Sequence, residues 1–161
     1  MNTVYLQLGS NIGERDQLIS KAVDTIHERI GSVDVRSQVY ESTPWRVDGQ
    51  ANYLNQIIEV KTLFSAKETL ALILKIETEL GRVRLEKWGE RLIDIDIIFF
   101  NNDIIETSIL CIPHKHMHER NFVLAPLSEI APNFIHPKYN KTVMELFNES
   151  KDTEKIVKYG S

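Results

Sequence analysis

Two aspartates interrupt a run of isoleucines at Leu92-Ile93-Asp94-Ile95-Asp96-Ile97-Ile98. The segment from Leu92 to Phe100 is rich in Ile and Phe and reads as a strand. Alternation puts Ile93, Ile95, Ile97 and Phe99 on one face and Asp94 and Asp96 on the other. The two aspartate Cα atoms then lie ~6.5–7 Å apart. Two carboxylates ~6 Å apart repel by roughly 3 kcal/mol at an effective dielectric near 20, and Asp is depleted in strands. Two readings of the pair stand. Either each aspartate faces a nearby Arg or Lys, or a hard divalent cation such as Mg2+ is held there through oxygen ligands.

The segment before this strand bears on that choice. Arg82 to Arg91 reads as a polar loop, with Gly81 at its start and Gly89 inside it. Arg82, Arg84, Lys87 and Arg91 outnumber Glu86 and Glu90, in a chain whose net charge is -4. Alone, such a cluster reads as a solvated turn. Beside an aspartate pair it has what phosphoryl transfer requires: metals that bridge phosphate oxygens and guanidinium groups that neutralise developing charge. Trp88 can cover a planar group or exclude water. No Gly-x-x-x-x-Gly-Lys-Ser/Thr motif is present, and Gly9 to Gly13 reads as a plain strand-to-helix turn.

The remaining elements follow from periodicity. Val4 to Leu8 is a short apolar strand. From Arg15, the residues Leu18, Ile19, Ala22, Val23, Ile26 and Ile30 share one helical face, with Gly31 at the C-terminal cap position. Ser32 to Ser42 alternates as one strand, with Val33, Val35 and Val39 on one side. Thr43 to Asn52 is a loop, and Tyr53 to Thr62 a strand. Ser65 and Glu68 form a capping-box pattern ahead of a helix over 66–80, with Leu70, Ile73, Leu74 and Ile76 buried and Gly81 as the stop. After a turn at Asn101-Asn102-Asp103, four prolines limit helices to short pieces. Thr142 and Glu145 mark a second capping box, and Ile156 to Tyr159 a closing strand. Strand, helix, strand, strand, helix, strand is the ferredoxin-like βαββαβ order. It predicts an α+β fold: an antiparallel sheet with helices packed against it and a C-terminal extension of short helices and strands.

With 161 residues and 42% hydrophobic content, the chain can bury a full core, and residues 1–161 read as a single domain. Its charge argues against nucleic acid as a partner. No apolar run approaches the ~20 residues of a membrane span, and the N-terminus lacks a signal-peptide pattern. A lone cysteine, Cys111, fits a reducing compartment, so a cytoplasmic protein is expected.

The other candidate residues have plainer readings beside the functional ones. Asn55 and Tyr53 share one side of their strand. A carboxamide suits the edge of a heterocycle, and an aromatic ring such as Phe122 suits its face, yet each serves equally well in a core or a turn. His114, His116 and His118 could bind zinc if extended. The residues around them point to a short helix instead, which would splay the three apart, leaving His114 facing phosphate and the others solvated.

Several stretches together are familiar. Lys87-Trp88-Gly89-Glu90-Arg91-Leu92-Ile93-Asp94-Ile95-Asp96-Ile97-Ile98 resembles the signature of the 6-hydroxymethyl-7,8-dihydropterin pyrophosphokinase family. Leu8-Gly9-Ser10-Asn11, Tyr53-Leu54-Asn55, Gly81-Arg82-Val83-Arg84, Pro113-His114 and Arg120-Asn121-Phe122 resemble its other landmarks, in order. The resemblance implies a monomeric enzyme acting on small molecules. It would transfer pyrophosphate from ATP to the hydroxymethyl group of hydroxymethyldihydropterin, giving AMP, on the way to folate. It implies two Mg2+ ions held by Asp94 and Asp96, and Arg82 and Arg91 on the reacting phosphates. Arg84, Lys87, His114 and Arg120 would make further ATP contacts, with Glu77 bordering the nucleotide. Asn55 would read the pterin edge and Phe122 would stack on the ring. Ser42, Thr43, Pro44, Trp45, Tyr53 and Trp88 would line or close that pocket. The chain departs from the commoner family pattern at Trp45, Leu85, Glu90, Leu92 and Lys115. The rival expectations are an Asp-x-Asp nucleotidyl or glycosyl transferase, which would not release AMP in this way, and a silent nucleotide-binding module, which would not need Mg2+.

Overall fold

The computed structural model describes residues 1–11, 13–42, 52–81 and 93–160. The chain runs β1 (Asn2–Ser10), α1 (Arg15–Arg29), β2 (Ser32–Arg36), β3 (Tyr40–Ser42), β4 (Tyr53–Thr62), α2 (Ala66–Gly81) and β5 (Asp94–Phe100). A small hairpin of β6 (Ile105–Glu106) and β7 (Cys111–Ile112) follows. Then come α3 (Asn121–Ile130), α4 (Val143–Glu149) and β8 (Ile156–Lys158). Among the described residues the main sheet has six strands in the order β5-β1-β4-β3-β8, with β2 also paired to β4. Every recorded pairing is antiparallel, as expected for the α+β class.

The two faces of the sheet are covered by different parts of the chain. Val4, Leu6 and Leu8 of β1, Leu54, Ile58 and Val60 of β4, and Ile95 and Ile97 of β5 pack on one face under α1 and α2. Each side chain of this size taken fully out of water contributes ~1.5–3 kcal/mol, so this face is the main apolar core. The opposite face carries Tyr5, Ile57, Ile98 and Phe99, covered by Val123, Leu124 and Leu127 of α3 and Leu146 of α4. That cover reaches only part of the face. Its other part bears Gly9, Asn55, Asp94 and Asp96 and lies open as a cleft.

Both capping boxes are present. Ser65 and Glu68 exchange backbone-to-side-chain bonds of 2.9 and 3.1 Å, and Thr142 and Glu145 exchange bonds of 3.0 and 3.1 Å. Gly31 ends α1 for a reason other than a left-handed cap. A Cβ there would stand 2.0 Å from the carbonyl oxygen of Lys61, so only glycine lets the turn cross β4.

Other expectations need correction. The expected strand from Ser32 to Ser42 is split into β2 and β3. At the break, the Ser37 hydroxyl accepts the Ile57 N–H at 3.0 Å. A register shift between Val33 and Val35 turns Val35 outward, 37% exposed. Leu74, expected in the core, is 49% exposed, because the buried stripe of α2 runs through Thr69, Ile73 and Ile76. Phe99 does not share a face with Ile93, Ile95 and Ile97. In the β1–β5 ladder Tyr5 pairs with Phe99 and Leu6 with Ile97, which leaves Ile98 as an extra residue. Such a bulge reverses the alternation beyond it, so Phe100 joins the helix-covered core and Phe99 crosses to the other side.

His118 is not solvated as expected. Its ring packs 4.6 Å from that of Tyr139 and 6.4 Å from that of His136. His136 is 2% exposed, and its Nδ1 accepts the backbone N–H groups of Lys138 and Tyr139 at 3.1 and 3.2 Å. Burial first, then His118 and Lys138, push its pKa down to about 4. A His whose folded pKa is depressed must be neutral in the native state, so its stabilising contribution is lost as pH falls from about 6.5 toward 4. Thermal melts of wild type and His136→Asn over that range should show a shallower acid loss in the variant. Equal slopes would contradict this role.

Candidate active site

Registry across three strands builds the floor of the cleft. Gly9 of β1 pairs with Asp94 of β5 on one side and with Asn55 of β4 on the other. The row two residues away is Asp96–Gln7–Ile57. Residues directly opposite in adjacent strands point to the same side. Strands are ~4.8 Å apart, so the Cα atoms of Asp94 and Asn55 stand about 10 Å from each other, with no side chain between them at Gly9. The turn reading of Gly9 is therefore wrong: β1 runs through it to Ser10. A Cβ at position 9 would fall 2.9 Å from Asn55 Oδ1 and push that side chain aside. The strand pattern around Gly9 was hidden because Ser10 and Asn11 look like loop residues.

Asn55 is 5% exposed, and its Nδ2 donates to Ser42 Oγ at 3.4 Å. Ser42 is paired with Tyr53 across β3 and β4, which places all three at one end of the cleft. At the other end, Asp94 is half-buried and Asp96 exposed, both lining the cleft. The backbone N–H of His114 donates to the carbonyl of Ile98 at 3.0 Å, the residue left over by the bulge. That bond brings the His114 ring beside Asp96. Burial lowers the His114 pKa, against the pull of Asp96 and with help from Arg120 and His116. Its buried Nδ1 has no hydrogen-bond partner among the described residues. The Arg120 guanidinium lies 5.7 Å from the centroid of the Phe122 ring.

Eight sequence-derived candidates thus meet around one cavity: Ser42, Tyr53, Asn55, Asp94, Asp96, His114, Arg120 and Phe122. Glu77 stands behind β5, where its Oε2 accepts the Ile95 N–H at 2.8 Å. It therefore anchors the aspartate strand to α2. Arg82, Arg84, Lys87, Trp88 and Arg91, with Thr43, Pro44 and Trp45, lie outside the described residues.

Two carboxylates on one strand face fit a hard cation. They would supply part of an oxygen shell and leave the remaining positions to water and phosphate, which is how Mg2+ is commonly held. Among the described residues no cluster of three or more His, Cys, Asp or Glu forms a closed metal cage. The cavity measures about 1230 Å³, against ~300–1,000 Å³ for a pocket holding one small ligand, so it has room for two.

Sequence reasoning missed the contribution of the C-terminal segment. Asp152 Oδ2 accepts the backbone N–H of Asn121 at 2.9 Å, capping α3 from a distant part of the chain. Asp152 Oδ1 accepts the Glu154 N–H at 2.9 Å. Glu154 joins the cavity wall, its pKa raised by burial and by Asp152 against Ser42 and Arg120. No local pattern announces contacts that span 31 residues.

Comparisons with known proteins point to one family. Residues 5–132 match the family model for 7,8-dihydro-6-hydroxymethylpterin-pyrophosphokinase. A 2-amino-4-hydroxy-6-hydroxymethyldihydropteridine pyrophosphokinase of Aquifex aeolicus is 43% identical over 150 residues, 93% of each chain. One from Bacillus subtilis is 45% identical over 130 residues, covering 80% of this chain and 78% of that one. In fold, the chain resembles a solved structure described as HPPK-DHPS in complex with substrates, with a TM-score of 0.73 at 16% identity. That likeness covers 91% of this chain and 43% of the other.

Fold, cleft and relatives together define an enzyme that transfers a diphosphate group. The chain belongs to the 7,8-dihydro-6-hydroxymethylpterin-pyrophosphokinase family, whose reaction is pyrophosphate transfer to hydroxymethyldihydropterin in folate synthesis.

Proposed function

We propose that this chain draws the pyrophosphate from ATP in a Mg2+-dependent reaction, and that the row Asp94–Gly9–Asn55 sets the direction in which the two substrates lie. The row is the observation that carries the reading. Its length of about 10 Å, two strand spacings, matches a bicyclic ring lying over the bare backbone of Gly9. The ring's amide edge would meet Asn55 and its hydroxymethyl group would reach the aspartates. Asn55 offers both a donor and an acceptor to such an edge. Phe122 supplies a face for stacking, and Ser42 and Tyr53 close that end, with Thr43, Pro44, Trp45 and Trp88 assigned to the same pocket by the family resemblance.

The phosphate end is built from charge. Asp94 and Asp96 would hold two Mg2+ ions, which supply Lewis-acid polarisation of phosphoryl oxygens and offset their charge. Arg120 and His114 face the same space, and Arg82, Arg84, Lys87 and Arg91 are assigned to the phosphates with them. The pterin hydroxymethyl oxygen forms a bond to the β-phosphorus of ATP as the bond from that phosphorus to the α-phosphate bridging oxygen breaks. The hydroxyl proton is released and AMP departs. Arginines at the transferring group stabilise charge that develops only as the bond breaks, so they act on rate more than on binding.

Incubation with hydroxymethyldihydropterin, ATP and Mg2+ should yield AMP and the pterin diphosphate one for one. Release of ADP or inorganic pyrophosphate would contradict the reading. Asp96→Asn should lower kcat on the order of 100-fold and raise the Mg2+ concentration needed for half-maximal rate. An unchanged Mg2+ dependence would remove Asp96 from the metal site. Gly9→Ala should weaken pterin binding about tenfold, the worth of a displaced Asn55 hydrogen bond, with little change in ATP affinity. Fluorescence titration of the pterin reads this directly, and equal affinity for variant and wild type would contradict it.

A further inference from the structure

Gln7 is a polar side chain, 4% exposed, on the cleft face of β1. In the sheet it stands between Asp96 and Ile57. Its Nε2 donates to the backbone carbonyl of Phe122 at 2.9 Å, a bond that spans 115 positions in the chain. That carbonyl is available for a specific reason. Phe122 is the second residue of α3, so its intrahelical partner should be the N–H four residues on. Position 126 is proline, inside the helix, and proline has no N–H to give. A carbonyl left without a donor in a buried place is costly, and Gln7 fills that gap.

We propose that Gln7 is a positioning residue for pterin binding: by giving the hydrogen bond that Pro126 withholds, it fixes the first turn of α3, and with it the Phe122 ring, over the cleft floor. This rests on the assignment of Phe122 as the ring that stacks on the pterin. Gln7 itself acts through Phe122. The bond locks the distance between the stacking ring and the β1–β5 pair that carries Asp96. It also accounts for a long amide at a strand position flanked on that face by Tyr5, Gly9 and Ile57, with Asp96 opposite on β5.

The test is a double-mutant cycle on the intact chain, reading pterin affinity by fluorescence titration and kcat and KM for both substrates. Gln7→Met keeps the side-chain length and removes the donor. It should raise the Kd and KM for the pterin about tenfold while leaving the KM for MgATP within about twofold. Pro126→Ala restores an N–H at position 126 and should bind the pterin nearly as wild type does. In that background Gln7→Met should cost less than about threefold, because the helix now satisfies its own carbonyl. Several results would overturn the role: no effect of Gln7→Met, an equal loss of MgATP and pterin affinity, or the same penalty with and without Pro126. If Gln7→Met alone does not fold, the double variant should still fold and bind, and its failure would count against the proposal. Phe122→Ala separates this claim from the one beneath it. If that change leaves pterin affinity intact, the stacking assignment falls and the positioning role with it. If it weakens binding while Gln7→Met does not, only the positioning role falls.

Discussion

The antiparallel register of β1 between β4 and β5 sets which side chains of the sheet face the cleft. It decides that Gly9 meets Asp94 on one side and Asn55 on the other. A slip of one residue along either ladder would turn every side chain to the opposite face. The aspartates would then point into the core under α1 and α2, where Leu6, Leu8 and Ile58 are fully buried. The cost of burying two unpaired carboxylates there far exceeds any gain in pairing. The hydrophobic pattern that stabilises the protein therefore also holds the acidic pair in the open cleft.

Much of this arrangement was legible in the sequence, and the reasons differ by element. Long periodic stretches such as α1 and β4 announced themselves through apolar spacing, and both capping boxes through paired side chains at fixed offsets. Asp94 and Asp96 were legible because a strand tolerates two adjacent acidic positions on one face only at a cost that something must offset. The family landmarks located the rest of the candidate site. What could not be read is long-range. The bulge at Ile98 depends on how β5 meets β1, and it is what carried Phe99 to the unexpected face. The side chain that a Cβ at position 9 would displace lies 46 residues away, at Asn55. The close crossing that makes Gly31 necessary involves Lys61. A local pattern names a residue's preference, whereas these positions are set by what the folded chain brings next to them.

The C-terminal third shows the same principle at the scale of a whole face. Its prolines broke up any periodic signal, and it reads as scattered short pieces. In the folded chain those pieces close one end of the cleft. Asp152 caps α3, and Gln7 satisfies the carbonyl that Pro126 leaves free. The core under α1 and α2 is the larger of two, while α3, α4 and the segment around Asp152 pack a second core and place aromatic and charged groups over the sheet's other side. The cleft thus opens on one face of a sheet that is packed on both.

The proposed pose lays the pterin across Gly9, its amide edge at Asn55 and its hydroxymethyl group at the aspartates. Paramagnetic relaxation reads that orientation, with Mn2+ in place of Mg2+, a nonhydrolysable ATP analogue and carbon-labelled pterin bound together. In that pose the relaxation enhancement is much stronger at the hydroxymethyl carbon than at the ring carbon that bears the amino group. Equal enhancement at the two positions, or a stronger effect at the amino-bearing end, would contradict it.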